Sequence, residues 1–207
     1  MINNEPTNFG WKSAKPELHQ QYTIPSILYL LPQRKSLNII DVGCGNGFLV
    51  NYLSQFGHYV MGIDIAEDGI KIAKNAYPSI RFEMHSAYEK LDSLIDTPVD
   101  VIISSEVIEH LYQPDRFLEN IFSVLRPGGF LILTTPYHGY LKNLAISLVN
   151  GWDKHHDANR TGGHIKFFSE KSLGQMLEEN GFTNIKFRNA GRVPLIWKSM
   201  VCRAQKK

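Results

Sequence analysis

The chain holds only two cysteines, Cys44 and Cys202. Two thiols build no disulfide framework, which removes the small cross-linked scaffolds from consideration. No apolar run approaches the ~20 residues needed to span a bilayer as a helix. Lys and Arg number 22 against 20 Asp and Glu, a net charge of +2. That balance lacks the basic footprint of a protein that grips long duplex nucleic acid, although a short RNA end stays compatible with it. There is no internal repeat and no low-complexity tract. Met1 to Gly10 is polar and has no apolar core, so no signal peptide is expected, and a reducing cytoplasm is the expected compartment. What is present is 43% apolar residues in a chain of 207, enough for one folded domain with a buried core.

The most informative stretch is Asn38-Ile39-Ile40-Asp41-Val42-Gly43-Cys44-Gly45-Asn46-Gly47. An apolar strand reaches an acidic residue, and glycines follow at every second position. Glycine there removes the Cβ that would hold a ligand off the backbone and permits positive φ. A helical segment, Phe48–Phe56, follows at once, so strand, glycine turn and helix N-terminus make a nucleotide-sized cradle. The spacing is not that of a dinucleotide site. A G-x-G-x-x-G fingerprint would need its third glycine at Phe48 or at Val50. Cys44 is read as a small filler of the turn.

From Leu37 onward apolar strands alternate with amphipathic helices. The strands are expected at Leu37–Val42, Tyr59–Ile63, Ile80–Met84, Val99–Ser104 and Phe130–Thr135. Helices are expected at Phe48–Phe56, Ala66–Ala76 and Asp115–Leu125, with a weak one at Tyr88–Ile95. That order implies an α/β fold with a parallel sheet and right-handed crossovers. A further helix should run from an N-cap at Ser169, or at Ser172, to Asn180. Thr183–Arg188 and Ile196–Arg203 should close the chain as an antiparallel hairpin. Residues 1–36 form a helical lead-in, with the first ten loose, and residues 37–207 the main domain. The connection 137–164 is too long for an ordinary loop. It leaves the fifth strand at its carboxyl end, where open α/β folds bind ligands, so it is read as a lid that packs on the core or recognises substrate.

The D-x-G-x-G-x-G run resembles motif I of the class I S-adenosylmethionine (SAM) methyltransferases, and the likeness extends from Leu37 to Arg203. It implies a Rossmann-like, mostly parallel seven-stranded sheet with an antiparallel C-terminal hairpin strand. It also implies that SAM lies on Asp41, Gly43, Gly45 and Gly47, with the Asp64 carboxylate holding both ribose hydroxyls. Ser86 stands where the family carries an acidic residue for adenine. The Ser86 hydroxyl and the Ala87 backbone are the groups offered there instead. Ser105 follows the fourth strand beside the expected SAM site and is read as a further cofactor contact. Arg126-Pro127-Gly128-Gly129, before the fifth strand, matches the family as well.

After the fourth strand the chain reads Glu106-Val107-Ile108-Glu109-His110. If that segment is helical, Glu106, Glu109 and His110 share one face, and with His164 they make a site for a divalent cation. The alternative is surface ion pairing and a hydrogen-bonded histidine, with no metal. This E-x-x-E-H with a distal H-x-K-F resembles two subfamilies. One is the ubiquinone-biosynthesis O-methyltransferases, which act on a catechol-like hydroxyl. The other is the small-RNA 3′-terminal 2′-O-methyltransferases. Both imply a substrate with adjacent oxygens, chelated by the cation. His110 and His138 are the catalytic candidates, and Tyr137 and His156 the substrate contacts. Tyr140–Val149 is apolar, with Lys142 on one side, and could lean on a membrane surface. A non-catalytic SAM-binding domain would need no polar cluster on the substrate side, and a nicotinamide oxidoreductase is disfavoured by the glycine spacing.

Overall fold

The computed structural model of the chain describes residues 8–156 and 162–207, without the side chains of Lys154 and His156. Seven strands form one sheet: β1 Asn38–Val42, β2 Tyr59–Asp64, β3 Arg81–Met84, β4 Val99–Ser105, β5 Leu125–Pro136, β6 Phe182–Ala190 and β7 Ser199–Lys206. Their order is β3-β2-β1-β4-β5-β7-β6, with β1 to β5 parallel and β7 antiparallel to both β5 and β6. The expected mixed sheet and the terminal hairpin are therefore both present. The order reverses between β1 and β4, the kind of switch point beyond whose carboxyl ends open α/β sheets bind ligands.

Among the described residues seven α-helices accompany the sheet: α1 Gln20–Leu30, α2 Phe48–Ser54, α3 Glu67–Ala76, α4 Pro114–Val124, α5 Tyr140–Leu148, α6 Trp152–His156 and α7 Glu170–Glu179. Six consecutive residues of β4, Val99 to Ser104, are buried, as a central strand covered on both faces requires. On one face Phe117, Leu118 and Ile121 of α4 and Leu173 and Leu177 of α7 pack over Ile102, Leu131 and Leu133. On the other, Ile24, Ile27 and Leu30 of α1 and Leu49 and Leu53 of α2 cover Ile39, Val101, Ile103 and Ile132. Each such side chain, fully buried, contributes about 1.5–3 kcal/mol of transfer free energy.

Local chemistry decides three departures from the sequence expectation. Tyr88–Ile95 forms no α-helix; only a single 3-10 turn, Asp92–Leu94, is present. Glu106 to His110 is likewise not an α-helix. Glu106 takes φ +56°, and a 3-10 turn covers Ile108–His110. Pro114 opens α4, and the residue before a proline resists the α region, so no helix can run through Gln113 from the Glu106 side. The Arg126–Gly129 stretch does not separate helix from strand but bulges within β5. Val99 pairs with Leu125 and Val101 with Phe130. Asp100 fills the bulge, accepting from Arg126 Nε at 2.6 Å and from the Asn38 N–H at 3.0 Å.

Candidate active site

The glycine turn follows β1 at this switch point and leads into α2. Gly43, Gly45 and Gly47 have φ of +84°, +52° and +77°, which non-glycine residues rarely adopt. The N–H groups of Gly43 and Cys44 both donate to Ile63 O, at 2.8 and 3.0 Å, locking the turn to the end of β2. Asp64 closes the arrangement, its Oδ2 accepting from Gly45 N and its Oδ1 from Ala66 N, each at 2.7 Å. A carboxylate offers about four lone-pair sites, so about two remain for a pair of hydroxyls. Burial raises the Asp64 carboxyl against the pull of those N–H donors.

Asp41 is only 1% exposed, and its Oδ1 has no hydrogen-bond partner among the described residues. Burial first, and then the neighbouring Asp64, push its carboxyl up to about 8. A buried carboxyl oxygen without a donor is costly. The cationic amino end of SAM would relieve that cost, so a positive-φ glycine turn, the Asp64 carboxylate and an unsatisfied buried acid together fit SAM.

The adenine side is less open. His85 N donates to Asp64 O at 2.9 Å, Ser86 Oγ accepts from Tyr88 N at 3.3 Å, and Ala87 O accepts from Asn120 Nδ2 at 3.2 Å. Ser86 and Ala87 thus sit beside the end of β2, with the Ser86 hydroxyl engaged in its own turn. Ser105 is tied to β5, its Oγ lying 2.9 Å from Thr134 Oγ1.

Glu109 lies at the heart of the acidic cluster and is fully buried. Both its carboxyl oxygens lack a hydrogen-bond partner among the described residues, and no hydrogen bond closes to the adjacent Thr135 hydroxyl. Burial, and then the nearby Glu106, hold this carboxyl well above the ordinary range. His110 Nε2 and His164 Nε2 each stand 3.9 Å from Glu109 Oε1, with the two rings edge-on at 4.9 Å. One ligand atom from each of the three residues falls within 4.8 Å of the others. His110 Nδ1 lies 3.2 Å from Gly163 O, a contact that turns Nε2 inward. The N–H groups of Ile165 and Lys166 donate to Glu109 O, at 2.9 and 3.0 Å, and bring the end of the insertion onto the cluster.

Glu106 does not join this group. Its backbone N–H binds Thr134 O at 3.0 Å and its carboxyl accepts from Thr134 Oγ1 at 2.8 Å. Burial raises it to about 7, against hydrogen bonds from Thr134 and Ser199 and the charge of Lys142.

Of the residues expected to contact substrate, the Tyr137 ring meets Trp197 at 5.3 Å. His138, 8% exposed, stands edge-on to Phe167 at 5.0 Å and to His155 at 5.8 Å. His156 ends α6, and its side chain lies outside the described residues. Lys142 is 6% exposed and donates from Nζ to Tyr137 O at 2.7 Å. Burial lowers its pKa to about 8. Trp11 escaped the sequence reading altogether, because the N-terminal segment carries no periodicity. Its indole covers Gly45, where an added Cβ would come within 2.3 Å of the ring.

A family model described as a methyltransferase domain matches residues 17–186. Among curated relatives, the mitochondrial ubiquinone biosynthesis O-methyltransferase of Mus musculus is 33% identical over 156 residues, covering 71% of this chain and 41% of the mouse protein. The ubiquinone biosynthesis O-methyltransferase of Maricaulis maris is 34% identical over 126 residues, 57% of this chain and 49% of that one. The chain thus spans less than half the length of either relative. Among solved structures, magnesium protoporphyrin IX methyltransferase of Synechocystis PCC 6803 with bound SAH superposes at a TM-score of 0.70. The identity is 21%, over 91% of this chain and 84% of that one. With the family model matching most of its length and the cradle built to suit the cofactor, the chain belongs to the SAM-dependent methyltransferase domain family.

Proposed function

We propose that this chain transfers the methyl group of SAM to an oxygen of a small molecule that presents two adjacent oxygens, a catechol or a vicinal diol, with a divalent cation at the acceptor site. The observation that carries the reading is Glu109, a fully buried carboxyl with both oxygens unsatisfied among the described residues and two imidazole nitrogens 3.9 Å away. Glu109, His110 and His164 would hold the ion, and Glu106, bound to Thr134, would not. A bound cation would lower the pKa of a chelated hydroxyl. The chain's own residues do the rest. The cradle fixes the methyl donor, and the Glu109 turn fixes the acceptor beside it, so that the two are already aligned for attack. Glu109 must give up its proton to become a ligand, which couples ion uptake to proton release. His138, buried beside Phe167, is the proposed base at the rim.

An apolar acceptor is favoured over an RNA end. Helix α5 buries Lys142 yet exposes Tyr140, Leu141, Leu144 and Leu148, a face suited to a lipid surface or a lipid-like substrate. Among the described residues no helix is long and apolar enough to cross a membrane. Titration of the chain with cobalt(II), followed by visible absorption, tests the ion site. The wild type should take up one ion, and Glu109→Gln and His164→Ala should lose it while calorimetry shows SAM affinity unchanged. Uptake that is identical in all three would remove the cation from the proposal.

A further inference from the structure

We infer that residues 8–15 form a strap that closes over the cofactor cradle, and that Trp11 on this strap is a positioning residue for SAM. The inference rests on reading Gly43–Gly47 as the SAM cradle. Three side chains of the cradle module clamp the strap, and all three grip its backbone. Asp68, in the first turn of α3, accepts from Trp11 N at 2.8 Å and from Phe9 N at 3.3 Å. Asn46 lies between the second and third cradle glycines and is fully buried. It donates from Nδ2 to Ser13 O and to Lys15 O, both at 2.8 Å, while its Oδ1 accepts from Phe48 N at 3.2 Å. Tyr77, just past α3, donates from its hydroxyl to Ala14 O at 3.0 Å.

Clamps that read only backbone fix the path of a segment and leave its side chains free to differ. The side chain this path delivers to the site is the Trp11 indole. The ring rests on Gly45 and reaches Gly69, where an added Cβ would stand 3.0 Å from it. Gly45 is the residue whose N–H holds Asp64, so the ring stands against the pair of groups assigned to the cofactor. A flat apolar surface there excludes water from the cofactor and supplies a wall that β1 and β2 do not. Asn46 couples strap and cradle directly, because one side chain pins both the strap carbonyls and the first turn of α2. Cofactor bound on Gly43–Gly47 lies beneath the strap, and its exchange requires the strap to lift.

Stopped-flow release of SAM and of S-adenosylhomocysteine from the intact chain tests the strap. Trp11→Ala and Asp68→Ala should each release both ligands about tenfold faster or more, since weakened contacts act mainly on dissociation. Trp11→Phe should restore most of the retention. Asp68→Ala alters a half-buried side chain outside the core, so it gives a reading even if Trp11→Ala folds poorly. Release rates equal to wild type in both alanine variants would overturn the strap. Tighter binding on loss of the ring would overturn it too, by showing that Trp11 competes with the cofactor. A wild-type chain that takes up no SAM would instead overturn the cradle itself, a distinct result.

Discussion

Asp41 and Glu109 are carboxyls removed from water, and each keeps an oxygen that no described residue satisfies. Such groups are expensive in a fold and make sense as parts of a ligand site. Their protons have a measurable signature. The Asp41 carboxyl sits at about 8 in the fold against an ordinary 3.8. Between those values the folded chain holds a proton that the unfolded chain has released. Its stability contribution is therefore fully present below the lower value and is lost as pH rises through the upper one. His19 has the opposite sign, because burial lowers it from 6.5 to about 4, so its contribution grows across that window and is complete above it. From pH 6.5 toward 8 the raised carboxyls pull stability down, against Lys142, which burial lowers to about 8 and which pulls the other way near the top of that range. The urea midpoint of the cofactor-free chain should fall over that range, and Asp41→Asn should fall less steeply. A wild-type midpoint that stays flat or rises would contradict the protonated Asp41. Asp64→Ala should weaken SAM binding by roughly 1.5–3 kcal/mol in calorimetry, since it removes hydrogen bonds to a charged acceptor. An unchanged affinity would remove Asp64 from the ribose. Asp41 and Asp64 were legible in the sequence because each ends an apolar strand beside glycine or helix. The orientation of Glu106 was not, because it follows from a positive φ and a contact with Thr134 on another strand.

At the scale of elements, the turn from Ser105 to Gln113 shows what spacing alone leaves open. Glu106, Glu109 and His110 have helical spacing, yet Glu106 takes φ +56°, outside the right-handed helical region, and only a 3-10 turn forms at Ile108–His110. Glu109 and His110 still meet His164, because the insertion returns to pair with Glu109 O. The α7 start was more legible. Ser169 and Ser172, rival N-caps in the sequence, form one capping box, with Ser169 Oγ accepting from Ser172 N at 3.2 Å and Ser172 Oγ from Ser169 N at 3.0 Å. Ser169→Ala should cost about 1 kcal/mol in equilibrium unfolding. Helix α5 inverts the usual polarity, burying its lysine and exposing its leucines. Replacing Leu144 and Leu148 together by Asp should lower co-sedimentation with anionic vesicles while leaving SAM affinity intact. Equal sedimentation of variant and wild type would return α5 to the role of a plain lid.

For the whole molecule, the alternation of strands and helices made the parallel sheet readable, and the short connection between the strand patterns at Thr183–Arg188 and Ile196–Arg203 made the final hairpin readable. The insertion of β7 between β5 and β6 gives seven strands in one sheet with the switch point at β1 and β4. Cradle and acidic turn follow β1 and β4, so neighbouring strands bring the cofactor cradle and the proposed acceptor site side by side. The path of the N-terminal segment was hidden, because its clamps lie 31 to 63 residues away in sequence and hold only backbone. The proposed chemistry is methyl transfer to one of two adjacent oxygens at the Glu109–His110–His164 site. The most direct test is turnover of a simple catechol with methyl-labelled SAM, run with and without a chelator. Labelled O-methyl product that vanishes with chelator and returns on addition of a divalent ion is the expected result. Product formed at the same rate whether or not the ion is removed would contradict the claim.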